Sequence, residues 1–203
     1  MIQVRGFAGC LAAAMILASC AHTSMTSIPS PELGTRTFKS ILVIGDFADL
    51  GIRRDFEERF VGSNQADHFR FVPSYQVLFP GRQYSQNEMV SILRARSIDA
   101  TLVVSPGGTG ASTTYVPPTY TSGCTVWTSS GGCQQVTTTT SGDYTYSKPW
   151  AQFTAQLYDA NSGQVVWYAT ATTGGNAYAT NTTLVRSMAD KTVERMAADH
   201  VIH

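Results

Sequence analysis

The residue with the clearest chemistry in this sequence is Cys20, which ends the tetrapeptide Leu17-Ala18-Ser19-Cys20. One basic residue, Arg5, and an apolar run over residues 7–17 precede it. A short positive segment, an apolar stretch of about a dozen residues and a small-residue cleavage site are typical of a secretory signal, which is too short to span a bilayer permanently. The cysteine predicts a bacterial lipoprotein signal, with cleavage before Cys20, diacylglycerol on its thiol and acylation of its new amine.

Two further cysteines, Cys124 and Cys133, remain once Cys10 has left with the signal and Cys20 carries lipid. In an oxidising envelope they are expected to form a disulfide, closing a loop of about ten residues and contributing roughly 2 to 3 kcal/mol by the chain-entropy estimate. The alternative is a redox or nucleophilic thiol. It is disfavoured because no histidine, lysine or arginine lies near either cysteine in sequence to lower its pKa.

No other group of residues indicates catalysis, a cofactor or a metal. The serines lack a Gly-x-Ser-x-Gly context, and the four histidines are scattered without ligand neighbours at metal-binding spacing. The run Gly107-Gly108-Thr109-Gly110 follows a predicted strand, but a phosphate loop would need a helix and a lysine after it. We therefore interpret the run as a turn and expect a protein that is not an enzyme.

Two charged clusters are assigned structural roles. Asp46, Asp49 and Asp55 lie near the end of the first predicted strand, where turn formation and helix capping explain them more simply than a ligand does. Glu57 and Glu58 have arginines four residues before them and are interpreted as the solvated face of a helix.

Composition indicates one globular domain behind a cleaved signal. Residues 1–19 form the signal, residues 20–37 are rich in Ser, Thr and Pro and are expected to be a flexible tether, and residues 38–203 suffice for a single domain with its own core. Loss of Arg5 reduces the 14 basic residues to 13, against 14 acidic ones. This balance gives no electrostatic case for nucleic acid.

The hydrophobic pattern predicts an α/β (α+β) fold with helices packed on a mixed sheet. Compact apolar runs over residues 40–46 and 100–105 read as buried strands, and residues 69–75 as a further strand. Apolar spacing predicts helices after residues 51, 85 and 181, the second opened by a Ser85–Glu88 capping box. Residues 150–158 and 165–171 alternate as an antiparallel hairpin around an Asp159–Gly163 turn.

The segment from Pro106 to Pro149 is rich in Thr, Ser, Gly and Tyr, and its only charged residues are Asp143 and Lys148. It is too long for an ordinary connection and predicts a protruding Thr/Ser-rich β-hairpin closed by the disulfide. A membrane-crossing hairpin is disfavoured because its faces are too polar. The aromatic residues of the segment either bind a partner or pack against their own sheet; they are Tyr115, Tyr120, Trp127, Tyr144, Tyr146 and Trp150.

With these motifs in place, the chain resembles small bacterial envelope lipoproteins whose α/β domain is similar to the curli-secretion lipoprotein and penicillin-binding-protein activator families. The resemblance rests on residues 17–20, on residues 41–44 leading into Phe56-Glu57, on residues 98–104, and on Asp159–Gly163 with Trp167. It covers about half of the mature chain, and only residues 17–20 are specific. It implies partner binding or assembly.

The sequence therefore predicts a lipid-anchored, non-enzymatic envelope protein that binds a protein or cell-wall partner through residues 106–149. The alternative hypothesis is a homo-oligomeric component of an envelope assembly or secretion apparatus, motivated by unpaired sheet edges. Ala21 stands where an aspartate favours retention in the inner membrane. The expected location is therefore the outer membrane, facing the periplasm.

Overall fold

A six-stranded mixed sheet forms the body of the protein in this computed structural model, which describes residues 20–64, 68–127 and 133–202, without the side chains of residues 124–127 and 133–136. The predicted α/β class is confirmed. The described elements, in chain order, are β1 (Ala21–Pro29), β2 (Ser40–Gly45), α1 (Leu50–Val61), β3 (Arg70–Pro73), α2 (Gln86–Ala95), β4 (Ala100–Val116), β5 (Thr119–Trp127), β6 (Cys133–Ser141), β7 (Tyr144–Asp159), β8 (Val165–Gly175) and α3 (Asn181–Ala198).

The strand order in the main sheet is β1-β8-β7-β4-β2-β3, and β5 and β6 form a separate two-stranded sheet. β2 runs parallel to both β3 and β4, while the other pairs are antiparallel. The main hydrophobic core lies between one face of the sheet and the helices α1 and α3. A smaller apolar cluster that includes Leu42, Leu93 and Ile98 lies under α2. β2 is thus covered on both sides, which explains its continuous apolar run.

The helices begin at the residues that their capping patterns predict. The Asp49 carboxylate accepts hydrogen bonds from two N–H groups of the first turn of α1, at 2.7 and 3.0 Å. The capping box of Ser85 and Glu88 opens α2. Asp159 organises the β7–β8 turn. Its carboxylate accepts hydrogen bonds from the N–H groups of Asn161 and Ser162, and Gly163 takes a positive φ of 70°. Local hydrogen bonding therefore explains these boundaries.

The predicted tether is the largest difference from the sequence-based expectation. Within it, Ala21–Pro29 forms β1 and pairs antiparallel with β8 along its whole length. The buried Thr23 hydroxyl lies 2.8 Å from the hydroxyl oxygens of both Thr173 and Ser187, and Met25 packs against the core. Because hydroxyl side chains satisfy one another at this face, a strand poor in apolar residues is stable here.

A polar hub fixes the far end of β1 to the body. The Asp199 carboxylate accepts hydrogen bonds from the Ser27 hydroxyl and, at 2.8 Å, from the indole N–H of fully buried Trp167. Arg195 pairs with the same carboxylate at 3.3 Å and donates to the Ser27 hydroxyl. The hub joins β1, β8 and the end of α3.

Glu57 corrects a second expectation, because it is fully buried and not solvated. Its carboxylate accepts hydrogen bonds from the Ser74 hydroxyl at 2.6 Å, from the Gly45 N–H at 3.1 Å and from the Arg53 guanidinium at 3.0 Å. Glu58, the next residue, does lie at the surface, in an exposed pair with an arginine. The network ties α1 to the end of β2, where burial of a charge requires several partners.

Candidate functional site: the Cys20 end of the sheet and its arm

Cys20 is the first residue described, and its thiol is free and exposed. Its carbonyl oxygen accepts a hydrogen bond from the Asn176 N–H at 3.1 Å, and β1 begins at the following residue. The predicted lipidation site is therefore fixed at one end of the main sheet, with no free segment between it and the folded body.

The side chains around Cys20 are mostly polar, and the charged ones form ion pairs with residues of α1. A cavity of about 430 Å³ beside it is lined by residues that include Thr182, Arg186 and Asp190. Arg186 pairs with Asp55 at 3.2 Å, and Asp190 accepts two hydrogen bonds from Arg59, at 2.6 and 2.8 Å. The hydrogen bond and the nearby charge of Asp190 raise the pKa of the Arg59 guanidinium above its ordinary value. These charges stabilise the α1–α3 contact and leave room for a group on the thiol.

Residues 106–149 form an extension of the sheet that we call the arm. The β4–β7 ladder continues beyond the core from the Gly110–Trp150 pair to the Val116–Tyr144 pair. β5 and β6 follow as the second, separate ladder. Hydroxyl-bearing and aromatic side chains on the arm are mostly exposed, so its aromatic residues do not pack into the core of the body.

Strand alternation sorts the aromatic residues of the arm by face. Cross-strand partners share a face, and successive residues of a strand point to opposite faces. One face, which we call the aromatic face, carries Val116, Tyr144, Tyr146, Lys148 and Trp150, together with Ser112 and Thr114, the cross-strand partners of Lys148 and Tyr146. The ring centroids of Tyr144 and Tyr146 are 6.3 Å apart, and the Lys148 ammonium lies 5.3 Å from the centre of the Tyr146 ring. The aromatic face is a continuous stripe with one positive charge.

The other predicted partner-binding residues lie apart from this stripe. Tyr115 points to the opposite face, and its hydroxyl donates to the Asp143 carboxylate at 3.2 Å. Tyr120 lies on β5 and is 67% exposed. Trp127 is the last residue of β5, but its side chain is outside the described part. The sequence grouped these residues by composition, whereas cross-strand register separates them; Val116 and Lys148, absent from the predicted set, belong to the stripe.

The predicted disulfide is not supported by the described residues, among which there is no disulfide. The side chains of Cys124 and Cys133 lie outside the described part, so only their backbone register is considered. Cys133 stands opposite Trp127, three residues along β5 from Cys124, or about 10 Å at about 3.3 Å per residue. A disulfide needs Cα atoms within about 7 Å, so a bridge would require a local shift of this register.

The glycine-rich run is part of β4 and not the predicted turn. The β4–β7 register shifts between Pro106 and Thr109, which marks a β-bulge at this point. Gly110 lies beneath the indole of Trp150, where a Cβ atom would come within 2.8 Å of the ring. The run therefore gives Trp150 room to lie flat on the sheet, and no helix follows it to bind a phosphate.

No protein-family model and no curated protein matches the chain. Among solved structures, it is similar to the PelC dodecamer from Paraburkholderia phytofirmans, with a TM-score of 0.44 and 15% identity over 84% of this chain and 94% of that one. It is also similar to the lipoprotein GNA1162 from Neisseria meningitidis, with a TM-score of 0.41 and 15% identity over 79% of this chain and 99% of that one. These likenesses are too distant to assign a family.

Within residues 20–64, 68–127 and 133–202, no three His, Cys, Asp or Glu side chains are placed to hold a metal ion. Among the described helices, none is both long and apolar enough to cross a membrane. The exposed Cys20 and the arm lie at the same end of the sheet.

Proposed function

We propose that this protein is a lipid-anchored envelope protein without enzymatic activity, which binds a protein or cell-wall partner through the arm. The observation that carries the proposal is the exposed, nearly uncharged arm, which has aromatic side chains on both of its faces, on a body whose Cys20 thiol is exposed. Aromatic side chains provide large contact areas at a low cost in conformational entropy, which suits a recognition surface. The sequence signal favours the outer membrane, with the domain facing the periplasm.

The test is in-cell photo-crosslinking from Tyr120, which is exposed on β5, with identification of the adducts by mass spectrometry. We expect one discrete partner. The matched control is a chain in which residues 111–148 are replaced by a short turn, with circular dichroism and thermal unfolding used to establish that the body still folds. If this folded, arm-less chain captures the same partner with the same yield in a pull-down, the arm is not the binding surface.

A second candidate function is homo-oligomeric assembly, favoured by the free edge of β1. This nine-residue edge strand carries no Asp, Glu, Lys or Arg, and its Ile28 is 67% exposed. Such edges pair readily with other strands. Sedimentation of the acylated and non-acylated protein, each compared with Ile28→Lys, tests this candidate. A monomer in both preparations would contradict it, whereas a discrete oligomer that Ile28→Lys dissolves would support it.

The Cys124–Cys133 disulfide remains a prediction from the oxidising compartment and the pairing of the two remaining cysteines. It is tested by alkylating the mature protein under denaturing conditions without reductant and measuring its mass. Two unreacted cysteines that become reactive only after reduction would establish the bridge. Two modified cysteines would establish free thiols.

A further inference from the structure

The arm and the predicted lipidation site, Cys20, leave the main sheet at the same end of its strands. Ala21 pairs with Gly175, the preceding residue of β8, Gly174, pairs with Trp150, and Trp150 pairs with Gly110 at the base of the arm. From that level, β7 continues for six more residues to Tyr144, or about 20 Å at about 3.3 Å per residue. The arm therefore extends past the level of Cys20, at the end of the sheet where the lipid would be attached.

No flexible segment allows Cys20 to move away from this end of the sheet. Its backbone bonds to Asn176, and every residue of β1 from Ala21 onward is paired with β8. A diacylglycerol on the Cys20 thiol would consequently hold this end of the sheet at the headgroups of the bilayer. An arm that begins at this end of the sheet would then lie at the membrane surface.

The exposed side chains at this end of the sheet include residue types that are enriched at membrane interfaces. Tyr178 is two residues from Asn176 and 66% exposed, and Tyr144 is 55% exposed on the aromatic face. Tyrosine and tryptophan favour the headgroup level of a bilayer, where their rings are buried and their polar atoms remain hydrated. A lysine such as Lys148 places its stem along an apolar surface and its ammonium in the headgroups.

We propose that the aromatic face of the arm is a membrane contact, seated in the headgroup region of the bilayer that holds the lipid on Cys20. The proposal rests on the lipid anchor of the proposed function. The opposite face, with Thr113, Tyr115, Thr145 and Ser147, stays in water and remains open to the partner. The contact is interfacial, because the hydroxyl-bearing opposite face does not suit the hydrocarbon core. It is carried by aromatic rings, so it does not require anionic lipid.

The experiment places a photo-crosslinking phenylalanine analogue at Tyr144 or Tyr146, and at Thr145 or Ser147 as matched controls on the opposite face. The full mature protein, acylated at Cys20, is reconstituted on vesicles of neutral phosphatidylcholine and phosphatidylethanolamine and irradiated. We expect roughly fivefold more lipid adducts from Tyr144 and Tyr146, because successive residues of a strand face opposite ways. High salt should leave the yield unchanged, since a single charge lies on this face.

Equal yields from both faces, or lipid adducts from neither, on protein that floats with the vesicles would overturn the proposal. This result differs from a failure of the anchor, in which the native protein carries no acyl mass and does not float. In that case a maleimide lipid coupled to Cys20, in a Cys124→Ser and Cys133→Ser background, supplies the anchor and the same comparison of faces is made. Circular dichroism verifies the fold of each variant.

Discussion

The Cys20 thiol combines a sequence signal with a fixed place in the fold. It is exposed, and the strand that follows it begins without a spacer. A lipid on this thiol would hold the domain close to the membrane surface, whereas a flexible tether of residues 20–37 would let the domain move away from it.

Replacing Cys20 by alanine is expected to remove both the acyl mass and the membrane fraction, because no thiol remains to carry diacylglycerol. Fractionation and intact-mass measurement check this result. Cys124→Ser serves as the control and should retain both. A Cys20→Ala protein that remains in the membrane fraction with its acyl mass would contradict the assignment.

Glu57 and Glu58 form a matched pair, since each has an arginine four residues earlier but only Glu57 is buried. Glu57→Ala is expected to lower the free energy of unfolding by about 3 kcal/mol, because it leaves Arg53, Ser74 and the Gly45 N–H without their acceptor. Glu58→Ala should change it by less than about 0.5 kcal/mol. Equal effects in chemical denaturation would refute the distinction.

These two glutamates show what local sequence can and cannot predict. The same spacing to an arginine made both residues candidates for a solvated helix face. What separates them is the proximity of the end of β2 and of Ser74 to α1, which is a tertiary fact. Burial of a charge depends on partners distant in sequence, so spacing alone does not reveal it.

At the scale of elements, the helices follow from the sequence because their signals are local. Capping residues and apolar spacing of three or four predicted α1, α2 and α3, and alternation predicted β7 and β8. β1 was missed because its partner β8 is about 150 residues away and because hydroxyl groups share its inner face with only two apolar side chains, Ala21 and Met25. The faces of the arm were missed because they depend on register.

The α2 capping box is expected to make stability depend on pH. A hydrogen bond from the Ser85 N–H, followed by one from its hydroxyl, lowers the pKa of Glu88 below its ordinary 4.5. The contribution of the ionised carboxylate is therefore complete above the unfolded-state pKa and is lost as the pH falls through the lower folded-state pKa. The difference in unfolding free energy between the native protein and Glu88→Gln should be constant near neutrality and shrink below about pH 4.

Chemical denaturation at a series of pH values measures this difference. Glutamine preserves the capping geometry, so the comparison isolates the charge. A difference that stays the same from neutral to acid pH would show that the charge of Glu88 contributes nothing.

The glycine run over residues 107–110 leads to a prediction about the stability of β4. Gly110→Ala would place a Cβ atom 2.8 Å from the Trp150 ring, so we expect a loss of about 1 to 3 kcal/mol in unfolding free energy and displacement of the indole from the sheet. Gly174→Ala is the matched control, because no atom lies within 4 Å of its Cβ position. Denaturation and tryptophan fluorescence would separate the two; identical behaviour would contradict the packing of Trp150.

At the scale of the whole molecule, Asp199 joins the beginning of the chain to its end. Asp199→Ala leaves the buried Trp167 N–H unpaired and releases Ser27 and Arg195, so a loss of about 1 to 3 kcal/mol is expected. Amide hydrogen exchange in β1 should accelerate more than exchange in β2. Asp190→Ala, which removes an exposed pair, is the control; unchanged exchange in β1 for Asp199→Ala would refute the role of the hub.

The pairing of β1 with β8 also determines when the domain can fold. In a chain exported amino-terminal end first, β1 emerges at the start, but its ladder requires Gly175 and its hub requires Asp199. Contacts between residues so far apart in sequence form late and slowly. In such a chain, the end of the sheet that carries Cys20 would stay unfolded until nearly the whole chain had crossed, so Cys20 would remain accessible to a lipidating enzyme throughout translocation.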